Sequence, residues 1–312
     1  MLEKLLKNHQ VKLLVEWLRT TMLFRGSVSL YDILANIKRN NHKYDIDQRA
    51  SAVAFSLTLA CFPAIIFLFT LVPYIPIENL DDQIMGILKE LMPRGIYQDA
   101  KLTISDILSR PRNSVLSFGF IFAMVASTNG MMSLMRSFDM VYEDSETRGF
   151  LQKRGVATLL TVVLVAVMFL LIVLLIVGDA VKGIVSNWHI IKDTWIVSSL
   201  NLSRYFVSFG ALMLAISIIY RFAPSKGHRY AFVNLGSIIA SVLILVATYG
   251  FSFYLSRFSS YNKLYGSIGT MIALMIWFYL LALLLIFGFE INAGIASARK
   301  NTCSGQPKIT EN

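Results

Sequence analysis

Six long stretches without a charged side chain divide this sequence: residues 50–77, 113–135, 155–178, 205–220, 230–256 and 264–289. A helix rises about 1.5 Å per residue, so about 20 residues cross the hydrocarbon core of a bilayer. Five stretches exceed that length. The fourth, YFVSFGALMLAISIIY, lies between Arg204 and Arg221 and is shorter. It spans if both arginines extend their heads to the interfaces and the bilayer thins slightly. Runs such as VATLLTVVLVAVMFLLIVLLIV (156–177) lack the alternation of a barrel strand. Lipid offers the backbone no hydrogen bonds, so continuous apolar runs of this length are helices. The pattern predicts an all-α polytopic membrane protein with six transmembrane helices, over about 50–73, 114–136, 156–178, 204–221, 231–255 and 267–289.

Between and before these runs the pattern changes to amphipathic. In SVSLYDILANIKRNN (27–41), Leu30, Ile33, Leu34 and Ile37 share a helical face, and Ser29 and Asp32 have capping-box spacing. Leu13, Leu14, Trp17 and Leu18 form a second stripe beside Lys12 and Arg19. Residues 1–48 are therefore expected as cytoplasmic amphipathic helices, lying on the inner leaflet or packed under the bundle. Residues 49–292 form the transmembrane domain. Its long connection 78–112 carries helical spacing at Ile84, Leu88 and Leu91 and at Ile104 and Leu108, punctuated by Pro93, Gly95 and Pro111. A small helical extracytoplasmic cap is expected there, and 293–312 is expected as a cytoplasmic tail.

Composition agrees with the pattern. Charged residues make up 15% and hydrophobic residues 55% of the 312, whereas a soluble domain carries roughly 25% charged. The net charge of +10 could point to nucleic acid, but its placement suits lipid headgroups. Of the 29 Lys and Arg, 19 fall in 1–49, 136–154, 221–229 and 290–312, and the other 10 on the opposite side of the spans. That bias places both termini in the cytoplasm. The start, MLEKLLKNHQVKLLVEWLR, has no signal-peptide pattern. Cys61 and Cys303 are too far apart in the plan for a disulfide, and the four histidines are scattered outside the apolar runs, so no metal site or cofactor is expected.

Three stretches carry a resemblance. RASAVAFSLTLACFPAIIFLF (49–69) opens Arg-small-Ser-x-x-x-Phe and places a Phe-Pro pair in the first span. STNGMMSLMRSFDMVY (127–142) holds Ser-x-x-Gly, a spaced arginine and a closing tyrosine. YGSIGTMIALMIWFYLLALLLIFGFEINA (265–293) joins a Tyr-Gly-Ser turn, a mid-span Trp-x-Tyr and a closing Gly-x-Glu-x-Asn-Ala, the most specific of the three. Over residues 28–300 the chain resembles the YihY/BrkB family of bacterial inner-membrane proteins, once labelled ribonuclease BN-like. The resemblance implies six membrane helices with cytoplasmic termini, and links to envelope integrity and lipid movement. Asp139 stands where the family usually has asparagine.

The polar residues inside the spans are the candidate chemistry. Asn129, Ser133, Arg136 and Met140 recur at helical steps and share a face. An unpaired amide in lipid costs a few kcal/mol, so Asn129 is expected to face other helices or an aqueous cavity. It serves there either as interhelical glue or as the lining of a polar path. At the cytoplasmic boundary, Arg49, Arg136, Asp139, Arg221 and Glu290 lie at one depth, and Glu290 is expected to pair with Arg49 or Arg136. These charges either lace the bundle or form an inward gate in which arginines hold a phosphate and Glu290 releases them. Tyr279, deep in span six, needs an internal partner and could line the same path as Asn129. Pro63 frees the Leu59 carbonyl and predicts a kink; with Gly266 and Gly269 it is a candidate hinge. Small glycines also serve close helix packing.

Two function classes fit. One is a protein that moves a lipid or other amphiphile between leaflets or hands it to an envelope export partner. The other is a non-transporting scaffold or assembly factor, with the same polar residues as mortar. Membrane lipids are the expected partners, not nucleic acid. A two-metal nuclease needs carboxylates converging on ions about 4 Å apart. The one dense acidic group, Asp139, Glu143, Asp144 and Glu146, sits in a connection rich in arginine and lysine and reads as a solvated turn.

Overall fold

A computed structural model describes residues 22–23, 28–29, 45–74, 82, 84–86, 101–102, 104–105, 113–142, 148–187, 194–225, 230–257 and 267–303. Six long helices dominate: α1 (Ile46–Leu71), α2 (Asn113–Asp139), α3 (Phe150–Asn187), α4 (Thr194–Phe222), α5 (Leu235–Arg257) and α6 (Ser267–Cys303). A short 3-10 turn, Val72–Tyr74, follows α1. Before α1, β1 (Met22–Leu23) pairs antiparallel with β2 (Val28–Ser29), and β2 touches α6. That short ladder was not legible in the amphipathic pattern, and it places Ser29 in extended backbone. The stripes of 10–20 and 30–44 lie outside the described residues. In the 78–112 connection, the described residues 82, 84–86, 101–102 and 104–105 are helical.

Each helix packs on its neighbour in sequence, and α6 closes back onto α1, so the six form a ring in chain order, with α6 also reaching α2. Short connections such as 140–149 and 223–234 force consecutive helices to run antiparallel. One end of the ring therefore gathers the start of α1, α3 and α5 and the close of α2 and α4; α6 passes through it. It is called here the charged end.

Among the described residues, five stretches are long and apolar enough to cross a membrane: Ile46–Phe67, Leu116–Asp139, Phe150–Val167, Leu235–Leu255 and Met271–Ala298. The fourth helix contributes the shorter Phe206–Phe222, matching the short fourth run of the sequence. Helices α3 and α6 overrun their predicted spans. The sixth continues through Glu290 to Cys303, so the polar tail is helical at its start. Helix α1 is continuous through Pro63, and α6 is helical at Gly269; Gly266 lies outside the described residues.

Large apolar side chains such as Phe55, Phe62, Phe118, Phe122, Phe169 and Phe253 are exposed on the outside of the ring. Buried positions are often small or hydroxylic: Ala50, Ala54, Ala157, Ala240, Ala282, Ser217, Ser237 and Ser241. This inversion is expected where lipid solvates the outside, because apolar surface gains nothing by turning inward and close backbone approach supplies the packing. Several buried hydroxyls bond within their own helices, Thr58 to the Ala54 carbonyl (2.8 Å), Thr128 to Met124 (2.5 Å) and Ser241 to Ser237 (2.7 Å). Thr128 thus needs no interior path to be tolerated.

Candidate functional site: a laced charged end and an outer groove

The charged end is built on Glu290, which is fully buried. Arg49, one turn into α1, meets its Oε1 through Nη2 at 2.5 Å, the two side chains being 4% and 0% exposed. The Nη1 of Arg49 donates to the Ser137 carbonyl at 2.8 Å. That carbonyl is free because of where it sits. Helix C-termini leave four carbonyls without intrahelical partners, and those of Arg136, Phe138 and Asp139 accept from Met140, Val141 and Tyr142. Arg49 takes the remaining one. One guanidinium therefore clamps α1, α2 and α6, while its Nε, also buried, has no hydrogen-bond partner among the described residues.

The closing motif of the last span explains itself around this pair. Alternate residues on a helix point nearly opposite ways, and residues four apart share a face. Glu290 looks to α1, while Gly288 and Asn292 look to α5. A Cβ on Gly288 would lie 2.5 Å from the Tyr220 hydroxyl and 2.7 Å from the Ala240 Cβ; one on Gly236 would lie 2.1 Å from the Gly288 carbonyl oxygen. Helices α5 and α6 therefore cross almost backbone to backbone. Asn234 caps α5, accepting from Ser237 N at 2.8 Å. Asn292 adds a second cap from α6, accepting from Gly236 N at 2.8 Å and donating to the Asn234 side chain at 2.7 Å.

Two connections lie across this end. Asp139 accepts from the Ser225 N–H and hydroxyl, each at 2.7 Å. Arg148 gathers the Phe222, Ala223 and Pro224 carbonyls at 3.5, 3.4 and 2.9 Å, a cation where the α4 dipole is negative. The Tyr142 and Tyr230 hydroxyls bond to each other. Burial pushes both phenols up from their usual range, and the nearby Glu290 carboxylate adds to it. Beneath them Phe289 stacks on Phe138 (4.1 Å between centroids) and meets Tyr142, Tyr220 and Tyr230 edge-on. Arg221 donates to the Tyr230 carbonyl at 2.9 Å and lies over the Phe232 ring. Among the described residues, Phe138, Tyr220 and Phe289 are fully buried at the centre of this end.

The predicted residues therefore divide into two groups. Arg49, Asp139 and Glu290 belong to the buried end; Arg49, not Arg136, is the partner of Glu290. Asn129, Ser133 and Arg136 share the opposite side of α2, where Asn129 and Arg136 are exposed and Ser133 half-buried. The expectation that Asn129 faces the interior is corrected: it faces outward and still finds a partner. Arg154 of α3 donates to its Oδ1 at 2.5 Å and to the Val125 carbonyl at 3.3 Å, its Nη1 also lying 3.5 Å from the Met132 sulfur. Below this contact a small crevice is lined by Met132, Met135, Arg136, Asp139 and Lys153. Tyr279 joins neither group. Its hydroxyl bonds Asp47 at the start of α1, and its neighbour Trp277 stacks on Phe251.

Arg148, Arg154, Tyr142 and Tyr230 were missed by sequence reasoning. Both arginines had been weighed only as topology-setting charges, though a cation directly before an apolar run can fold back onto the neighbouring helix. Among the described residues no three His, Cys, Asp or Glu side chains group as metal ligands, and residues 143–147, with their acids, lie outside the described part.

Fold and site together define a polytopic all-α membrane protein whose polar residues concentrate at one end and on one outer side. The profile of the family described as virulence factor BrkB matches residues 37–310, and the chain belongs to that family. The ribonuclease-like protein YfkH of Bacillus subtilis is 31% identical over 252 residues, covering 81% of this chain and 90% of its own. A UPF0761 membrane protein of Vibrio campbellii is 23% identical over 282 residues, covering 89% and 85%. No solved structure matches the chain.

Proposed function

We propose that this protein moves a lipid or other amphiphile at the bacterial inner membrane, or hands it to an envelope partner, along its outer α2–α3 side. The observation that carries this reading is Arg154 bonded to an exposed Asn129 seven residues before Arg136, about 10 Å along α2 from it. A cation and an amide on the lipid-facing side at that depth are costly, and such residues mark substrate routes in membrane proteins. The fully buried Phe138–Tyr220–Phe289 cluster at the charged end supports an outer route over an axial one. Under this reading the Arg49–Glu290 pair is a latch holding α1, α2 and α6 together, rather than the headgroup site itself, and both termini are cytoplasmic. No catalytic role is part of it.

The test is movement of a fluorescent phospholipid in proteoliposomes, read by an impermeant quencher. Wild-type protein should speed transfer above protein-free vesicles, and Arg154→Ala should slow it with the helix content unchanged. A second reading, the non-transporting scaffold, is favoured by the bonding of Glu290, Asp139 and Asn292 to described residues of the bundle and its connections. Transfer at the protein-free rate leaves that reading standing.

A further inference from the structure

The outer groove has more in it than the Asn129–Arg154 contact. Arg136 is exposed on the last turn of α2 and Lys153 is half-buried on the first turn of α3; both line the same crevice. Neither makes an ion pair with a described residue. Asp139 also lines the crevice, and each of its oxygens accepts from Ser225, so the crevice holds one engaged carboxylate beside its cations. The remaining wall is Met132 and Met135, and Met132 is also the residue against which Arg154 rests. Three cations thus lie along the α2–α3 side: Arg136 and Lys153 in the crevice and, beside it, the Arg154 head two turns along α2 from Arg136, its direction set by the Asn129 amide and the Val125 carbonyl.

We propose that this groove binds the phosphate of an anionic phospholipid, with Arg136 and Lys153 as the mouth and Arg154 as the inner contact. The chemistry fits a phosphodiester. It offers three cationic donors against one carboxylate, Asp139, a balance that suits a phosphodiester without the compensating cation of a zwitterionic headgroup. Thioether walls adapt to an irregular acyl or glycerol moiety. The exposed Phe150, Leu151, Val125 and Leu159 beside the groove leave the tails in contact with lipid rather than protein. Asn129 is a positioning residue here: without it the Arg154 head has only carbonyl and sulfur to hold it inward, and it is freed to extend to the interface. This assignment rests on the lipid-handling reading for its purpose, but as a binding site it is tested separately.

The full chain in detergent is titrated with phosphatidylglycerol, phosphatidylcholine or inorganic phosphate, and bound molecules are counted by native mass spectrometry. Wild type should retain phosphatidylglycerol over phosphatidylcholine and should not retain inorganic phosphate, which has no tails to seat. Arg136→Gln with Lys153→Gln should weaken phosphatidylglycerol retention about 10- to 30-fold, while Lys101→Gln with Lys300→Gln, an equal charge loss elsewhere, should leave it unchanged. Arg154→Gln should weaken it further; if that variant does not fold, the mouth pair alone decides. Unaltered retention in the mouth pair, equal loss in the control, or equal retention of phosphatidylcholine overturns the site. Binding that behaves as stated in a protein that moves no lipid keeps the site and removes the transport reading; movement that ignores the mouth pair does the reverse.

Discussion

At the scale of single residues, the Arg49–Glu290 pair makes the strongest energetic statement. Both side chains are almost fully buried, so removing one partner strands the other charge without water. Arg49→Met should destabilise the bundle by about 3–5 kcal/mol, whereas Arg49→Met with Glu290→Leu should recover most of that, because an apolar pair of similar volume needs no compensation. Denaturation in mixed micelles checks it; a double variant as unstable as the single one would mean that the cost lies in packing. Part of this was legible in the sequence. A lone glutamate closing an apolar run has to find a cation, since lipid offers nothing else. Which cation was not legible: Arg49 and Arg136 have the same chemistry and depth, and only the direction of their helix faces separates them. The same blindness hid the outward turn of Asn129. In lipid both faces of a helix are apolar, so the pattern that tells inside from outside in a soluble protein is absent. The tyrosine pair gives a pH dependence with a definite sign. Folded phenols whose pKa lies above the unfolded value of about 10 stabilise fully below that pH, and the contribution is lost as pH rises toward the folded value. Alkaline titration of the solubilised protein should therefore lower its stability above about pH 10, and less so in Tyr230→Phe.

At the scale of elements, the closing Gly-x-Glu-x-Asn motif of α6 is a joint between three helices. Gly288→Ala should cost about 1–3 kcal/mol, because its methyl meets the Tyr220 hydroxyl and Ala240 and the crossing has to widen. Asn292→Ala should cost about 1 kcal/mol by uncapping α5, with the early amides of 236–238 losing hydrogen-exchange protection first. Such loss spread evenly along α5 would argue against a cap. The existence and type of the helices were plain from the uncharged runs, since a backbone in lipid has few options. Their ends were not. Helices α3 and α6 run past their apolar limits, Phe150–Asn187 and Ser267–Cys303, because a helix in water is stopped by caps or breakers and not by the first charge it reaches. Capping was itself only half visible: Asn234 precedes α5 as a recognisable N-cap, but its second cap comes from a residue 58 positions away.

At the scale of the molecule, a ring closed in chain order brings the first and last helices side by side, which is why Arg49 and Glu290 meet across 241 positions. It also fixes a relation that the charge count alone left free of geometry. Helix α1 starts, and α6 leaves, at the end that holds the Arg49 clamp, the Arg148 and Asp139 contacts and the mouth of the outer groove. Whatever side of the membrane Cys303 occupies, that end faces it. The excess of Lys and Arg on this end is the reason the proposed orientation puts it in the cytoplasm. In a Cys61→Ala background Cys303 is the sole thiol. An impermeant maleimide added to intact cells should then leave the protein unlabelled, while the same reagent on inverted membrane vesicles should label it. Labelling from the outside would turn the molecule over and put Arg136 and Lys153 at the outer leaflet. The groove would then collect its lipid after, not before, the crossing, and the direction of the proposed handover would have to be reversed with it.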